Sequence, residues 1–568
     1  MLSGGKNGVS LLVIKKNRKR MKREKNITHT QQNSVNYTEL NRRIWPIAML
    51  ALVVLGIVIH RQYMDEFPSF VHAWSQTDRY AIALGFLNND FDLLHPETFI
   101  YNKQFPHWWK HASETTITAV DFPLHEYVVA LLMKLFGTTS PWVFRLSTFV
   151  VAMLGMFFLY KIAFKITDDW IKSVFVGIMA MTSPVYAYYF AGFIPGVPAL
   201  SFAIAGLYFY LKHLDEGERC KYFSISMALV GVAVLMRMSF AILLVAIVCF
   251  ELLRVWKKET TFGNKVPSVI IAVGAVVGYM AWNSHLRAMH DSLFLSGLMH
   301  ADSWDETKEL ILQAKNNWFY QYFSERQYKV FLVLLGLSFI FGKGNRREQR
   351  ERRNRKGETL SLWKFWSIYV FGCVLFLFAM AKQAPDHDYY FIDTFFLPCL
   401  MLLIFVLNRL GKTDMQSAIT FVLLIVVTAN VLIEDVNKNL KDRRNYTDRA
   451  YITSQNFEGS EEFLDSVGVP KDAKILALYA YPQNAPFILM NRKGYTEMWY
   501  DYDIVEKGLE EFDYDYVVIE NIRYEKEYEY HKQFLGRLVR IADNDKVSLC
   551  RYADTIVCNS VEDFFEDK

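Results

Sequence analysis

The first long apolar run of the sequence reads WPIAMLALVVLGIVIH and occupies residues 45–60. A later run at residues 400–407 reads LMLLIFVL, and charge-dense stretches separate the apolar runs along the 568-residue chain. A helix that crosses a bilayer needs about 20 mostly apolar residues. With 52% hydrophobic and 16% aromatic residues, the composition excludes a disordered chain, a fibrous protein and a small disulfide scaffold. The pattern predicts a polytopic α-helical membrane protein.

Eleven membrane spans are predicted on this criterion. The apolar stretch Lys221–Trp256 is too long for one span and is interrupted by Arg237, so we count it as two. The spans lie near residues 44–60, 141–160, 172–190, 196–211, 222–236, 240–254, 267–283, 329–342, 362–381, 390–408 and 415–433. The first apolar run starts after more than forty residues and continues as an ordinary span, which argues against an N-terminal secretory signal.

Basic residues indicate the orientation, because Lys and Arg concentrate on the cytoplasmic side of membrane proteins. The densest clusters are KKNRKRMKR at residues 15–23 and RREQRERRNRK at residues 346–356. Eleven spans with the N-terminus inside place both clusters on the cytoplasmic side, and we interpret them as topology signals rather than nucleic-acid sites. The predicted domains are a basic cytoplasmic segment 1–43, a transmembrane domain 44–433 with a long outer loop 61–140, and an extracytoplasmic domain 434–568.

The C-terminal segment is predicted to form a small α/β domain. Residues 474–479 and 516–520 have the pattern of strands, and Tyr502–Phe512 and Lys526–Ile541 have the pattern of helices. Cys550 and Cys558 flank a predicted hairpin turn at Ala553-Asp554. That placement permits a disulfide in an oxidising compartment, and two free thiols fit the sequence equally well.

The outer loop 61–140 is rich in acids, histidines and aromatic residues, and loops of this length are usually functional. Within it, Phe70–Phe86 is predicted to be a helix along the membrane surface. We expect Trp74 on one side of this helix, and Asp78 and Arg79 on another.

Motifs for several other enzyme classes are missing from the sequence. It contains no P-loop, GxGxxG or HExxH motif, which argues against an ATPase, a dinucleotide enzyme or a zincin. His107 and His111 are four residues apart and could share a metal on one helix face. Trp108 and Trp109 lie between them, however, so we interpret the stretch as an interfacial segment and predict neither metal nor cofactor.

Three motifs occur in order on the predicted outer side: WSQTDRYAIA at residues 74–83, DFPLHEY at residues 121–127 with LMKLFG continuing from residue 132, and HDYY at residues 387–390 followed by Leu397-Pro398. Together they resemble the motifs of polyprenyl-phosphate-sugar-dependent glycosyltransferases of the GT-C fold. That superfamily includes the protein O-mannosyltransferases and the lipid A aminoarabinose transferase. The resemblance covers roughly residues 44–410, and many members also carry a C-terminal outer domain.

The resemblance implies transfer of a hexosyl or pentosyl group, with inversion, from a polyprenyl-phosphate carrier to a glycolipid, polysaccharide or protein acceptor. Such a reaction needs a base for the acceptor's proton and cations for the departing phosphate. The expected catalytic residues are Asp78, as the base, and Asp121; the expected phosphate ligands are Arg79, Arg237, Lys382 and His387; the expected sugar or acceptor contacts are Trp74, Asp388 and Tyr389.

Three of these roles have an alternative. The adjacent acids Asp65-Glu66 are a second candidate for the base, since several family members have an adjacent acid pair in this loop. Asp121 could cap the helix that begins near Pro123. Arg237 could extend its side chain to the membrane interface without binding a ligand.

A lipid or saccharide transporter, or flippase, is the alternative function. Transporters usually place ionisable residues or broken helices near the bilayer midplane. Here the acids concentrate in the outer loops, and the spans are nearly free of them, so the enzyme is favoured. A polytopic scaffold would leave the acid-rich first loop unexplained. The resemblance also places the protein in the bacterial inner membrane.

Overall fold

The computed structural model describes residues 39–101, 115–290, 292, 294, 297–341, 356–411, 415–498 and 502–566. The basic clusters at 15–23 and 346–355, and the histidines at 107 and 111, lie outside these residues. The helices up to the C-terminal region are α1 Trp45–His60, α2 Ala73–Asn88, α3 Leu124–Phe136, α4 Pro141–Thr167, α5 Trp170–Met181, α6 Pro184–Phe190, α7 Gly196–Asp215, α8 Cys220–Met236, α9 Ala241–Trp256, α10 Val266–His290, α11 Trp304–Tyr322, α12 Glu325–Phe341, α13 Lys356–Ala379, α14 Tyr390–Asp393, α15 Phe396–Arg409 and α16 Met415–Asp442.

Each of the eleven predicted spans overlaps a helix, but not all of these helices are long enough to cross a membrane. Among the described residues, seven helices have the length and apolar composition of a span. The number is eight if α5 and α6, which are bent by 79° relative to each other, form one broken span. Helices α8 and α15 are apolar but shorter. The polytopic helical architecture is therefore as predicted, whereas the count of eleven is not confirmed.

The C-terminal α/β domain is present, with helices α17 Arg449–Phe457, α18 Ser460–Ser466, α19 Ala485–Met490, α20 Tyr502–Glu511, α21 Asn521–Leu535 and α22 Val561–Phe565, and strands β1 Lys474–Leu478, β2 Lys493–Glu497, β3 Tyr516–Glu520, β4 Leu538–Asp543 and β5 Val547–Tyr552. They form one sheet in the order β2-β1-β3-β5-β4. Strand β1 is parallel to β2 and β3, and β5 is antiparallel to β3 and β4. Every residue of β1 after Lys474 is buried, because helices cover both faces.

Two details of this domain differ from the prediction. The helix predicted over Lys526–Ile541 runs over Asn521–Leu535, and Leu538–Asp543 form β4 instead. The hairpin turn lies between β4 and β5 rather than at Ala553-Asp554. Cys550 and Cys558 are both buried as thiols and not joined in a disulfide.

The first loop is joined to this sheet. Ile100 forms a parallel bridge with Gly494 in the outer strand β2, and Gly494 donates to the Phe99 carbonyl and accepts from the Tyr101 amide, both at 3.0 Å. The Lys493 ammonium also lies 2.6 Å from the Glu97 carboxylate. Apolar side chains of α2 and of the C-terminal domain share one buried cluster. Helix α2 thus packs against the C-terminal domain, and the later part of the first loop pairs with the edge of that domain's sheet.

Candidate functional site

Helix α2 carries the first motif and presents it on two faces. It begins at Ala73, three residues later than predicted, after His72, whose φ of 55° lies in the left-handed region. Residues four apart lie on the same face of a helix, whereas neighbours are rotated by about 100°. Trp74 and Asp78 therefore share one face, and Ser75 and Arg79 share another. The prediction that placed Asp78 and Arg79 together, on another side of the helix from Trp74, was wrong because it grouped neighbours in sequence.

The Asp78 face points at the C-terminal domain. The Asp78 side chain is 2% exposed, and Asn484 donates to its Oδ1 at 2.8 Å. Gln483 donates to both carboxylate oxygens, at 3.3 and 3.2 Å. Burial raises the pKa of Asp78 to about 7, and the amide donors and Arg79 partly oppose that rise. The carboxyl group can therefore exchange a proton near neutral pH.

The Arg79 face points at a cluster of charges. Arg79 lies 3.2 Å from the Glu126 carboxylate and 3.4 Å from Asp121, and Arg237 lies 3.6 Å from Asp121. Helix α3 begins at Leu124 with Pro123 at its N-cap position, so the Asp121 side chain serves the two arginines rather than capping the helix. With 30% of its side chain exposed, Asp121 is the most accessible acid of this cluster.

Arg237 stands where the chain leaves α8 in an extended conformation, with φ of −156° and ψ of 109°. Its Nε donates to Asp393 Oδ2 at 2.6 Å, and its guanidinium lies over the rings of Tyr389 and Tyr390, 5.5 and 5.4 Å from their centres. The side chain is 20% exposed. Arg237 is thus engaged by acids and aromatic rings of the protein.

Two buried acids, Glu126 and Asp393, also face the arginines. Burial raises the pKa of Glu126, and the nearby Arg79 partly opposes that rise. An anion that enters beside the partly exposed Asp121 can be held by the planar guanidinium groups.

The third motif, HDYY at residues 387–390, forms a second group of buried polar contacts, centred on Asp388. Asp388 lies 2.7 Å from Arg443 and 3.0 Å from His72, and it accepts from the Tyr189 hydroxyl at 2.9 Å. Burial alone would raise the pKa of Asp388, but Arg443 and His72 outweigh it and lower that pKa. Asp388 is therefore an ionised anchor that holds the residue preceding α2.

The neighbours of Asp388 in sequence connect it to the arginine cluster, by which we mean Arg79 and Arg237 with the acids that contact them. The Tyr389 hydroxyl lies 3.5 Å from Ser75 Oγ, on the Arg79 face of α2. The His387 ring stacks on Tyr390 and on His72, at centroid distances of 5.2 and 5.8 Å. Burial and the proximity of His72 lower the pKa of His387 to about 4, so this imidazole is neutral at pH 7 and offers no positive charge to a phosphate.

Eight of the nine predicted site residues thus lie around α2. Lys382 is the exception, since its ammonium group lies 2.7 Å from Asp302, just before α11, and 3.8 Å from Glu306, in the first turn of α11. The alternative acids are engaged elsewhere. Asp65 accepts from Ser140, and Glu66 lies between Arg145 and Arg444.

Five residues of the site were not predicted: Glu126, Asp393, Arg443, Gln483 and Asn484. Asp393 and Glu126 carried a signal, because each is an acid beside an apolar run, where an uncompensated charge is costly. Gln483 and Asn484 carried none, since neutral amides in a loop are common. In the part of the chain that the structure describes, no three His, Cys, Asp or Glu side chains could hold a metal ion.

The family model for dolichyl-phosphate-mannose-protein mannosyltransferase matches residues 119–284, a segment that contains Asp121, Glu126 and Arg237. A search of curated protein sequences gave no match.

Similar solved structures include ArnT from Cupriavidus metallidurans bound to undecaprenyl phosphate. It is 11% identical with a TM-score of 0.52, and the match covers 88% of this chain and 97% of that one. The arabinofuranosyltransferase AftD from mycobacteria is 11% identical with a TM-score of 0.51, over 91% of this chain and 42% of that one. At these identities the likeness establishes the fold. The chain has the GT-C fold of membrane glycosyltransferases, as the three motifs predicted.

Proposed function

We propose that the protein is an integral membrane glycosyltransferase that moves a sugar from a polyprenyl-phosphate carrier to an acceptor on the outer face of the bacterial inner membrane. The observation that carries this proposal is the partly exposed pair of Arg237 and Asp121 beside Arg79, in the fold of a transferase whose structure holds undecaprenyl phosphate. Two neighbouring arginines, one of them partly exposed, suit a phosphate because their planar guanidinium groups can bind its oxygens.

The donor phosphate belongs on the Arg79 face of α2. There Arg237 and Arg79 stabilise the negative charge that grows on the departing phosphate, and Asp121 orients both guanidinium groups. Tyr389 covers Arg237, and Asp388 fixes the segment that precedes α2. His387 contributes by stacking, because its neutral form brings no charge.

The acceptor belongs on the Asp78 face, with Trp74 beside it. An acceptor hydroxyl attacks the anomeric carbon from the side opposite the phosphate, and its proton passes to Asp78. A new bond joins the acceptor oxygen to the sugar, the bond from the sugar to the phosphate oxygen breaks, and its electron pair stays on the polyprenyl phosphate. Attack from the opposite side inverts the anomeric configuration. A base whose pKa lies near the working pH is the most effective.

The proposed topology has the N-terminus inside, and residues 61–140 and 434–568 outside. The close packing of the first loop on the C-terminal domain supports it, because both segments must then lie on the same side. The proposed domain division is a basic cytoplasmic segment 1–43, a transmembrane unit 44–433 and an outer unit 434–568, and the first loop makes contacts between the last two.

The test uses membranes containing the full chain and two radiolabelled probes, undecaprenyl-phosphate mannose and undecaprenyl-phosphate arabinose. We expect label from one probe to appear in the glycolipid, polysaccharide or protein fraction, with undecaprenyl phosphate as the second product. Label that crosses the bilayer while still attached to its carrier would establish the transporter instead. Membranes with Asp78→Asn serve as the control for background transfer.

A further inference from the structure

The C-terminal domain contacts Asp78 on helix α2 through two amide side chains. Gln483 and Asn484 follow β1 and precede α19, and both are completely buried. Between them they donate three hydrogen bonds to Asp78, at 2.8 to 3.3 Å. A carboxylate accepts such bonds in its ionised form, so the two amides favour the charged form of Asp78.

The amides are fixed by the rest of the fold. The side-chain oxygen of Asn484 accepts from the Phe99 amide at 3.2 Å, so the orientation of its amide group is determined by the first loop. The same loop pairs with Gly494 of β2. Asn484 is thus held from both sides with its NH₂ group aimed at Asp78.

Charged and titratable groups around Asp78 are few. Arg79 follows it on α2, and Tyr481 approaches from the C-terminal domain, with Arg449 over the Tyr481 ring at 5.5 Å. Arg79 is committed to Glu126 and Asp121. The direct hydrogen bonds of Gln483 and Asn484 therefore oppose the burial of Asp78 more than the nearby charges do.

We propose that Gln483 and Asn484 are positioning residues of the transfer reaction, through which the C-terminal domain orients Asp78 and keeps it ionised as the base. This inference rests on the proposed function of Asp78. It makes the C-terminal domain part of the catalytic unit rather than a separate module.

The decisive variant is Asn484→Asp. It keeps the size of the side chain and an oxygen for the Phe99 amide, and it replaces the donor to Asp78 by a second carboxyl group. Two carboxyl groups in contact share one proton, so Asp78 ionises only at higher pH. We expect the acidic limb of kcat/KM for labelled sugar transfer to move upward by on the order of one pH unit, which is about tenfold in rate at a fixed pH on that limb. Activity should recover at alkaline pH.

Asn456→Asp is the matched control. Asn456 belongs to the same domain and donates to the buried carboxylate of Glu520, away from Asp78. The same chemical change is made there beside a buried acid, so we expect an unchanged acidic limb. Gln483→Met, which removes a donor without adding charge, should move the limb in the same direction by a smaller amount.

A second readout does not depend on turnover. Infrared difference spectra between the wild type and Asp78→Asn isolate the Asp78 carboxyl, and its titration midpoint should rise in Asn484→Asp. If wild-type membranes transfer no label, the proposed function fails, while this titration still tests the amide contacts. If Asn484→Asp lowers transfer equally at every pH and leaves the midpoint unchanged, the two amides are only structural and the inference is overturned.

Discussion

Replacing Arg237 by lysine tests the phosphate site most sharply. Arg237→Lys keeps the positive charge near Asp121 and Asp393, which lie 3.6 and 2.6 Å from the guanidinium. It removes the planar fork that can bind Asp393 and a phosphate at the same time. A hydrogen bond to a charged group contributes about 1.5–3 kcal/mol, which corresponds to roughly 10- to 150-fold in affinity. We therefore expect the Kd of undecaprenyl phosphate to rise by that factor.

The assay compares two lipids that differ only in the phosphate. Binding of undecaprenyl phosphate and of undecaprenol to the purified protein is measured by native mass spectrometry. Only the phosphate-bearing lipid should lose affinity in Arg237→Lys. Arg237→Ala should additionally lower thermal stability, because it leaves the buried Asp393 without its cation, a change that typically costs about 3–5 kcal/mol. Equal weakening of both lipids would refute the phosphate contact, and so would unchanged binding of both.

Four further outcomes are expected. Asp78→Asn should lower the transfer rate by about 10²–10⁴-fold with unchanged Kd for undecaprenyl phosphate, whereas Asp65→Asn should be mild; the reverse result would move the base to the other acid. Wild-type transfer should rise with pH through about 7, the pKa of Asp78. Because folding raises that pKa, ionisation of Asp78 destabilises the folded protein as the pH increases. The difference in Tm between Asp78→Asn and the wild type should therefore favour the variant more at pH 8 than at pH 5. Gly494→Ala should speed proteolytic release of the C-terminal domain, because a Cβ there would lie 1.8 Å from a β1 carbonyl oxygen, while Gly274→Ala, with open space, should not. A cysteine at Asn354 should react with an impermeant thiol reagent only after the membrane is opened, and labelling of intact cells would contradict the topology.

Features that depend on local pattern were predictable from the sequence. Apolar runs located helices at all eleven predicted spans, and the short apolar stretches KILALY and YVVIE located β1 and β3 to within a residue. The end of the helix predicted over Lys526–Ile541 was wrong because the helical sequence pattern continues beyond Gly536. There the chain instead forms β4, which pairs with β5. Tertiary pairing overrides local propensity there.

The site was predictable only where a charge marked it. Arg237 interrupts an apolar stretch, and its cost in such a place pointed to a partner. The partner, Asp393, is 156 residues away in sequence, and no local pattern joins the two. Asn484 is 406 residues from Asp78, and a neutral amide gives no sequence signal of such a contact. Uncharged residues that adjust the pKa of a catalytic group can therefore be identified only from the folded structure.

The proposed chemistry depends on the orientation of α2 about its own axis, which decides where its faces point. Asp78 and Arg79 are adjacent in sequence, yet Asp78 contacts the C-terminal domain and Arg79 contacts Asp121. In the proposed reaction the acceptor and the donor therefore approach one helix from different sides. Gly85 constrains that orientation, because a Cβ there would lie 2.1 Å from the Glu97 carbonyl oxygen. Only glycine allows this close contact between α2 and the segment that extends the sheet at β2. The backbone of the first loop thereby fixes both faces of the motif at once, and the two halves of the site cannot be repositioned independently.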